Sequence, residues 1–114
     1  EMGHSRHDTF MTLVHELTHI WQFEYLDYSE MKRQYGVELV EGHACWAELA
    51  CASAMADTAP HAQRAQWRQA LNARRAGLDH QNDEYGNGYR RLLSMAGTGA
   101  DAFEFLRRLY GRAR

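Results

Sequence analysis

Little in the chain is unusual, and the shortages are the first guide. Only 2 of its 114 residues are cysteine and only 1 is proline. Cys45 and Cys51 are six positions apart on one expected helix, where side chains do not meet, so they cannot bridge each other. Neither has a C-x-x-C partner, which argues against a cysteine zinc site. Free cysteines of this kind pack as small hydrophobes and weakly favour a reducing compartment. No apolar run approaches the ~20 residues of a membrane span, and no signal-like segment opens the chain. Internal repeats, low-complexity tracts and convincing strands are missing, as are a nucleophile elbow, a phosphate loop and a dinucleotide fingerprint. The expectation is one mainly α domain over residues 1–114, with no membrane partner and a cytoplasmic setting; secretion within a larger toxin-like protein is the other setting considered. The chain begins at Glu1 rather than Met, which reads as a piece of something longer.

A hydrophobic fraction of 45% and a charged fraction of 25% fit an ordinary globular domain with a core of its own. The net charge of −2 is unevenly spread. Residues 1–59 hold 3 basic and 10 acidic side chains, and residues 60–114 hold 10 basic and 5 acidic. An arginine-rich half is compatible with nucleic acid, but the arginines, Arg74 among them, are spaced like the solvated faces of several helices and are equally suited to pair with the acidic first half. No groove-reading module accompanies them, so no nucleic-acid partner is expected.

The order of elements follows from caps and breakers. Asp8 or Thr9 is a credible N-cap for a helix to about Tyr25. Residues 26–30 read as a break, and 31–36 as a short turn or partial helix closed by Gly36. A second long helix, 38–56, is small or apolar nearly all round, which marks it as central and close-packed. Pro60 opens a third helix that Gly77 closes near Ala76. A fourth spans about 83–96 if Gly86 and Gly88 are tolerated, and after a Gly97-Thr98-Gly99 break a last amphipathic helix runs from Ala100 to Tyr110.

The stretch that carries chemistry is Thr12 to Gln22, which contains His15-Glu16-Leu17-Thr18-His19. Histidines four apart on a helix stack on one face, so two imidazoles converge on one ion. Glu16, about a third of a turn round, reaches a water at that ion without taking a ligand position. Phe10, Leu13, Val14, Leu17, Ile20 and Trp21 give an apolar stripe at helical spacing, with the two histidines along its border. This pattern is that of a zinc site with a general base. Two structural histidines are the bland alternative.

A catalytic zinc needs a third protein ligand and an open fourth position. Glu38, Glu41, His43 and Glu48 are the candidates. Glu41 is expected to be the ligand, because its small neighbours let the second helix approach the first and an acid on an Ala-rich helix is costly unless paired or ligated. Glu48, seven residues on, shares nearly the same face and could orient His15 or His19; a solvated acid or the partner of an arginine is the equal alternative. Asp79 to Asp83 hints at a calcium loop but lacks the glycine and the closing acid, and His4 and His7 near the start would hold a metal only loosely.

His15-Glu16-Leu17-Thr18-His19 followed by Glu41-Gly42-His43-Ala44 resembles the gluzincin group of zinc metallopeptidases. The order of His19-Ile20-Trp21, Val40-Glu41-Gly42 and Tyr85-Gly86-Asn87-Gly88-Tyr89-Arg90 is similar to the peptidase domain attached to LIM domains in plant growth-restricting proteins and to its bacterial relatives. The wording Leu17-Thr18-His19-Ile20-Trp21-Gln22 is also similar to metallopeptidase modules beside bacterial secreted toxins. These likenesses imply a zincin-like helical domain in which the first helix packs on the Glu41-bearing second, and one zinc per chain on His15, His19 and Glu41. They further imply hydrolysis of a peptide or protein substrate with Glu16 as general base. Donors to the oxyanion would be Tyr89, Tyr85, His43 or His80, in that order. Such domains generally carry an upstream β-sheet that holds the substrate, and none is evident here. The alternative is a zincin-like interaction module with structural zinc, whose fourth position another ligand such as His43 would close.

Overall fold

The computed structural model describes residues 6–96 together with Glu104, Arg107 and Arg108. The expected break at 97–99 and most of the expected last helix lie outside the described residues. Four helices follow one another: α1 (Arg6–Tyr25), α2 (Tyr28–Thr58), α3 (His61–His80) and α4 (Glu84–Ala96). The fold is mainly α, and the described residues contain no strand. Among them no helix is long and apolar enough to cross a membrane.

Helix α2 is the axis. It packs against each of the other three helices, as its all-round small and apolar character requires. Asp27 caps it, its carboxylate accepting from the Glu30 amide at 3.1 Å. Helical structure begins at Tyr28, so of the short turn or partial helix expected over 31–36 it is the helix that forms, and it kinks at Gly36 with φ 77°. That conformation carries little penalty only for glycine, and the break expected there is a kink at which two helical stretches of α2 meet. Pro60, with φ −53°, precedes α3 and has no amide hydrogen to continue α2. Helix α3 runs past Gly77 to His80. An exposed glycine costs a helix only about 1 kcal/mol, and the Gln81 amide closes the end on the Gly77 carbonyl at 2.9 Å.

Helices α2 and α4 cross with backbone against backbone. A Cβ on Gly88 would lie 1.7 Å from the Glu38 carbonyl oxygen, and one on Gly42 would lie 2.2 Å from the Gly88 backbone. Backbone therefore meets backbone one residue after Glu41. Asp83 starts α4, accepting from the amides of Tyr85 and Gly86 at 3.1 Å each.

Helix α1 buries only one edge of the face that its apolar spacing indicates, where Phe10 and Trp21 pack against the core. Leu13, Leu17 and Ile20 are 57%, 53% and 64% exposed. The buried residues are Met11, His15, Thr18 and Gln22, at helical spacing around the opposite side. The reason is pairing. The polar groups on that side find partners on α2, which removes the usual penalty for burying them.

Candidate metal centre

The fold brings His15 and His19 of α1 onto Glu41 of α2. Glu41 Oε1 is 2.8 Å from His15 Nε2 and 3.1 Å from His19 Nε2. The two rings are 5.0 Å apart, edge to face. Donors around a tetrahedral zinc with bonds of about 2.0–2.1 Å stand roughly 3.3 Å from one another, so this set matches such an ion with small adjustment. His15, His19 and Glu41 form one of two groups among the described residues with metal-ligand reach.

Each imidazole is held from behind, and the two supports differ. His15 Nδ1 donates to Glu48 Oε2 at 2.6 Å. His19 Nδ1 is 2.8 Å from Gln22 Oε1, an amide carbonyl oxygen that only accepts, so that nitrogen carries the proton. Both arrangements direct Nε2 toward Glu41, as a ligand requires. Gln22, fully buried, passes its own amide hydrogens to the Val40 carbonyl at 3.1 Å and to His43 Nδ1 at 3.0 Å.

Electrostatics follow from this enclosure. Burial alone would lower the pKa of His15, but hydrogen bonds with Cys45, Glu48 and Glu41 and the Glu48 charge raise it to about 10. Burial would raise the pKa of Glu48, but bonds from His15 and Arg74 hold its carboxyl below the usual range. Burial, reinforced by the charge of His19, drives His43 down to about 3, so that ring is neutral and its Nδ1 accepts from Gln22.

A cleft of about 320 Å³ opens beside His15, with Glu16, Thr12, Asp8, Arg74 and Tyr85 on its walls. Glu16 is exposed on the open side. The Tyr85 ring lies 5.6 Å from that of His15, and the charge of Glu41 raises the pKa of its hydroxyl. Tyr89, placed first among the expected oxyanion donors, is buried with its hydroxyl facing Arg75 of α3. The two tyrosines are four residues apart on α4, and Tyr85 is the one beside the histidines. His43 is enclosed behind Gln22, and His80 is exposed at the end of α3. His7 packs edge-on against Trp67, while His4 lies outside the described residues.

Two features escaped the sequence. Cys45, set aside for want of a C-x-x-C partner, joins His15 and Glu48 in the second group with metal-ligand reach. That group is fully buried, and the Arg74 guanidinium stands 3.7 Å from the Cys45 sulfur and is forked on Glu48, which makes it a poor place for a cation. The other is which arginine pairs with Glu48: pairing of the arginines with the acidic half was expected, but no local motif singles out Arg74. Compared with known families, curated proteins and solved structures, the chain matches none.

Proposed function

We propose that this chain is a zinc-dependent peptidase of the zincin type, holding one zinc on His15, His19 and Glu41. The observation that carries the reading is the convergence of two Nε2 atoms on one carboxylate oxygen, with Glu16 exposed on the adjoining cleft. Bound zinc would supply Lewis acidity, making water acidic near neutral pH and polarising the scissile carbonyl. The residues do the rest. Glu16 takes the proton of the attacking water and hands it to the leaving amine. Glu48 and Gln22 hold the two imidazoles in the ligating tautomer. Tyr85, on the wall of the cleft, is the donor we assign to the developing oxyanion in place of Tyr89.

The non-catalytic alternative needs a fourth protein donor to close the site. His43 was its expected source, and that side chain accepts from Gln22 on the far side of His19. This favours an open fourth position, hence the enzyme.

Metal content and affinity of the purified chain test the reading, beside Glu41→Ala and His43→Ala. One zinc per chain, lost with Glu41→Ala and kept with His43→Ala, is the expected result. A peptidase screen follows, in which Glu16→Gln keeps zinc and loses hydrolysis. No stoichiometric zinc in the parent overturns the proposal, and zinc lost only with His43→Ala points to the structural alternative.

A further inference from the structure

We propose that Arg74 is a positioning residue for the metal centre, acting through Glu48 to aim His15, so that helix α3 is part of the site. The inference rests on the zinc reading above. It comes from a chain of three contacts that crosses three helices. On α3, Arg74 Nε donates to Glu48 Oε1 at 2.7 Å and Nη2 donates to Glu48 Oε2 at 3.1 Å. On α2, the same Oε2 accepts from His15 Nδ1 at 2.6 Å. On α1, the far nitrogen of that ring faces Glu41.

The fork makes this more than a charge pair. A carboxylate held by one donor pivots about that bond, whereas two parallel bonds from a planar guanidinium fix its plane. The plane of Glu48 sets the direction of its lone pair toward Nδ1, and with it the tilt of the imidazole. Glu48 is only 3% exposed, so water does not stand in for a missing donor. Arg74 is itself steadied at the other end, where Nη1 is 3.4 Å from Gln81 Oε1 just past α3. Its position within the α3 arginines looks like that of any surface cation in the sequence, yet the neighbouring Arg75 is exposed while Arg74 turns inward. His19, supported by Gln22 of its own helix, has no comparable dependence on α3.

Zinc affinity by competition with a chromophoric chelator, and the visible spectrum of the cobalt-substituted protein, test the proposal in the full chain. The variants are Arg74→Met, Arg74→Lys, Glu48→Gln and the double variant Glu48→Gln/Arg74→Met. Loss of an outer partner of a metal-bound histidine costs about 10–100-fold in affinity, so Arg74→Met is expected to weaken zinc at least tenfold. Arg74→Lys keeps the charge and loses the fork; it is expected to fold, to bind zinc a few-fold more weakly and to shift the cobalt spectrum. In the Glu48→Gln background, Arg74→Met is expected to cost little more, since its route to the metal is already cut. The proposal is overturned if Arg74→Lys has the parent's affinity and cobalt spectrum, or if the Arg74 and Glu48 losses add in full. Should Arg74→Met not fold, the Arg74→Lys measurements decide alone. A parent without zinc removes the underlying reading, which is a different result from a parent that binds zinc indifferently to Arg74.

Discussion

If the site takes zinc as proposed, loading it must expel a proton from His15, because the ring lies between two carboxylates. In the metal-free chain this ring lies between Glu41 and Glu48, 2.8 Å and 2.6 Å away, and its pKa stands near 10 rather than 6.5. At pH 8 only about 1% of the rings are then neutral and ready to ligate, which lowers the apparent zinc affinity about 100-fold, or roughly 3 kcal/mol, below its high-pH limit. Affinity should climb about tenfold per pH unit toward pH 10 from this residue. Calorimetric zinc titrations in buffers of different ionisation enthalpy count the protons directly, and at pH 8 at least about one per zinc is expected. Glu48→Gln removes a charge that holds the proton, so its release at pH 8 should fall. The same shift acts on the stability of the metal-free chain. A raised histidine pKa stabilises fully below about 6.5 and loses that contribution as pH rises to about 10, so the melting temperature should decline across this window. The lowered Glu48 pKa acts at the other edge: its contribution is present above 4.5 and is lost as pH falls through the depressed value. A release well below one proton per zinc at pH 8 would refute the imidazolium between two carboxylates.

Three further outcomes follow from packing. Gly88→Ala drives a methyl group into the Glu38 carbonyl and is expected to cost about 3 kcal/mol in denaturant unfolding, whereas Gly77→Ala, whose nearest neighbour would be 3.9 Å away, should gain up to about 1 kcal/mol. Gln22→Leu removes the amide that bonds His19 and the Val40 carbonyl; about 2 kcal/mol of stability and about tenfold in zinc affinity should go with it. On α1, Leu17→Lys should change stability by no more than about 0.5 kcal/mol, while Met11→Lys should cost about 3 kcal/mol, and the reverse order in thermal melts would show that the apolar stripe is the packed face.

Local periodicity made much of this molecule legible. The spacing of His15 and His19 places both rings on one side of α1 whatever the rest of the chain does, and seven residues place Glu41 and Glu48 on one side of α2. Glycine and proline marked the bend at Gly36 and the turn at Pro60 for stereochemical reasons that no tertiary contact overrides. Gly77 misled because it has a helical neighbour on either side and no need for a left-handed turn. A glycine is a stop signal only where the backbone must change hand.

What stayed hidden depends on how helices meet. Apolar periodicity identifies the buried face of a helix only when its polar face has nothing to bind. On α1 the reverse holds: His15, His19 and Gln22 find Glu48, Glu41 and the Val40 carbonyl on α2, so the polar side turns inward and Leu13, Leu17 and Ile20 turn out. The choice between Tyr85 and Tyr89 is of the same kind. Both sit on α4, and which one reaches the histidines is set by the backbone crossing of Gly42 and Gly88, a contact between residues 46 positions apart. Arg74 shows the limit most sharply. Nothing near it in the chain distinguishes it from Arg68 or Arg75, and its difference lies in a carboxylate 26 positions away that is buried against a histidine. Spacing alone put Gln22 three residues from His19, yet its support of that ring was not read from the sequence. Across helices a side chain's role is readable where a motif calls for the partner, as the histidine pair called for Glu41 and Glu48, and Arg74 belongs to no such motif.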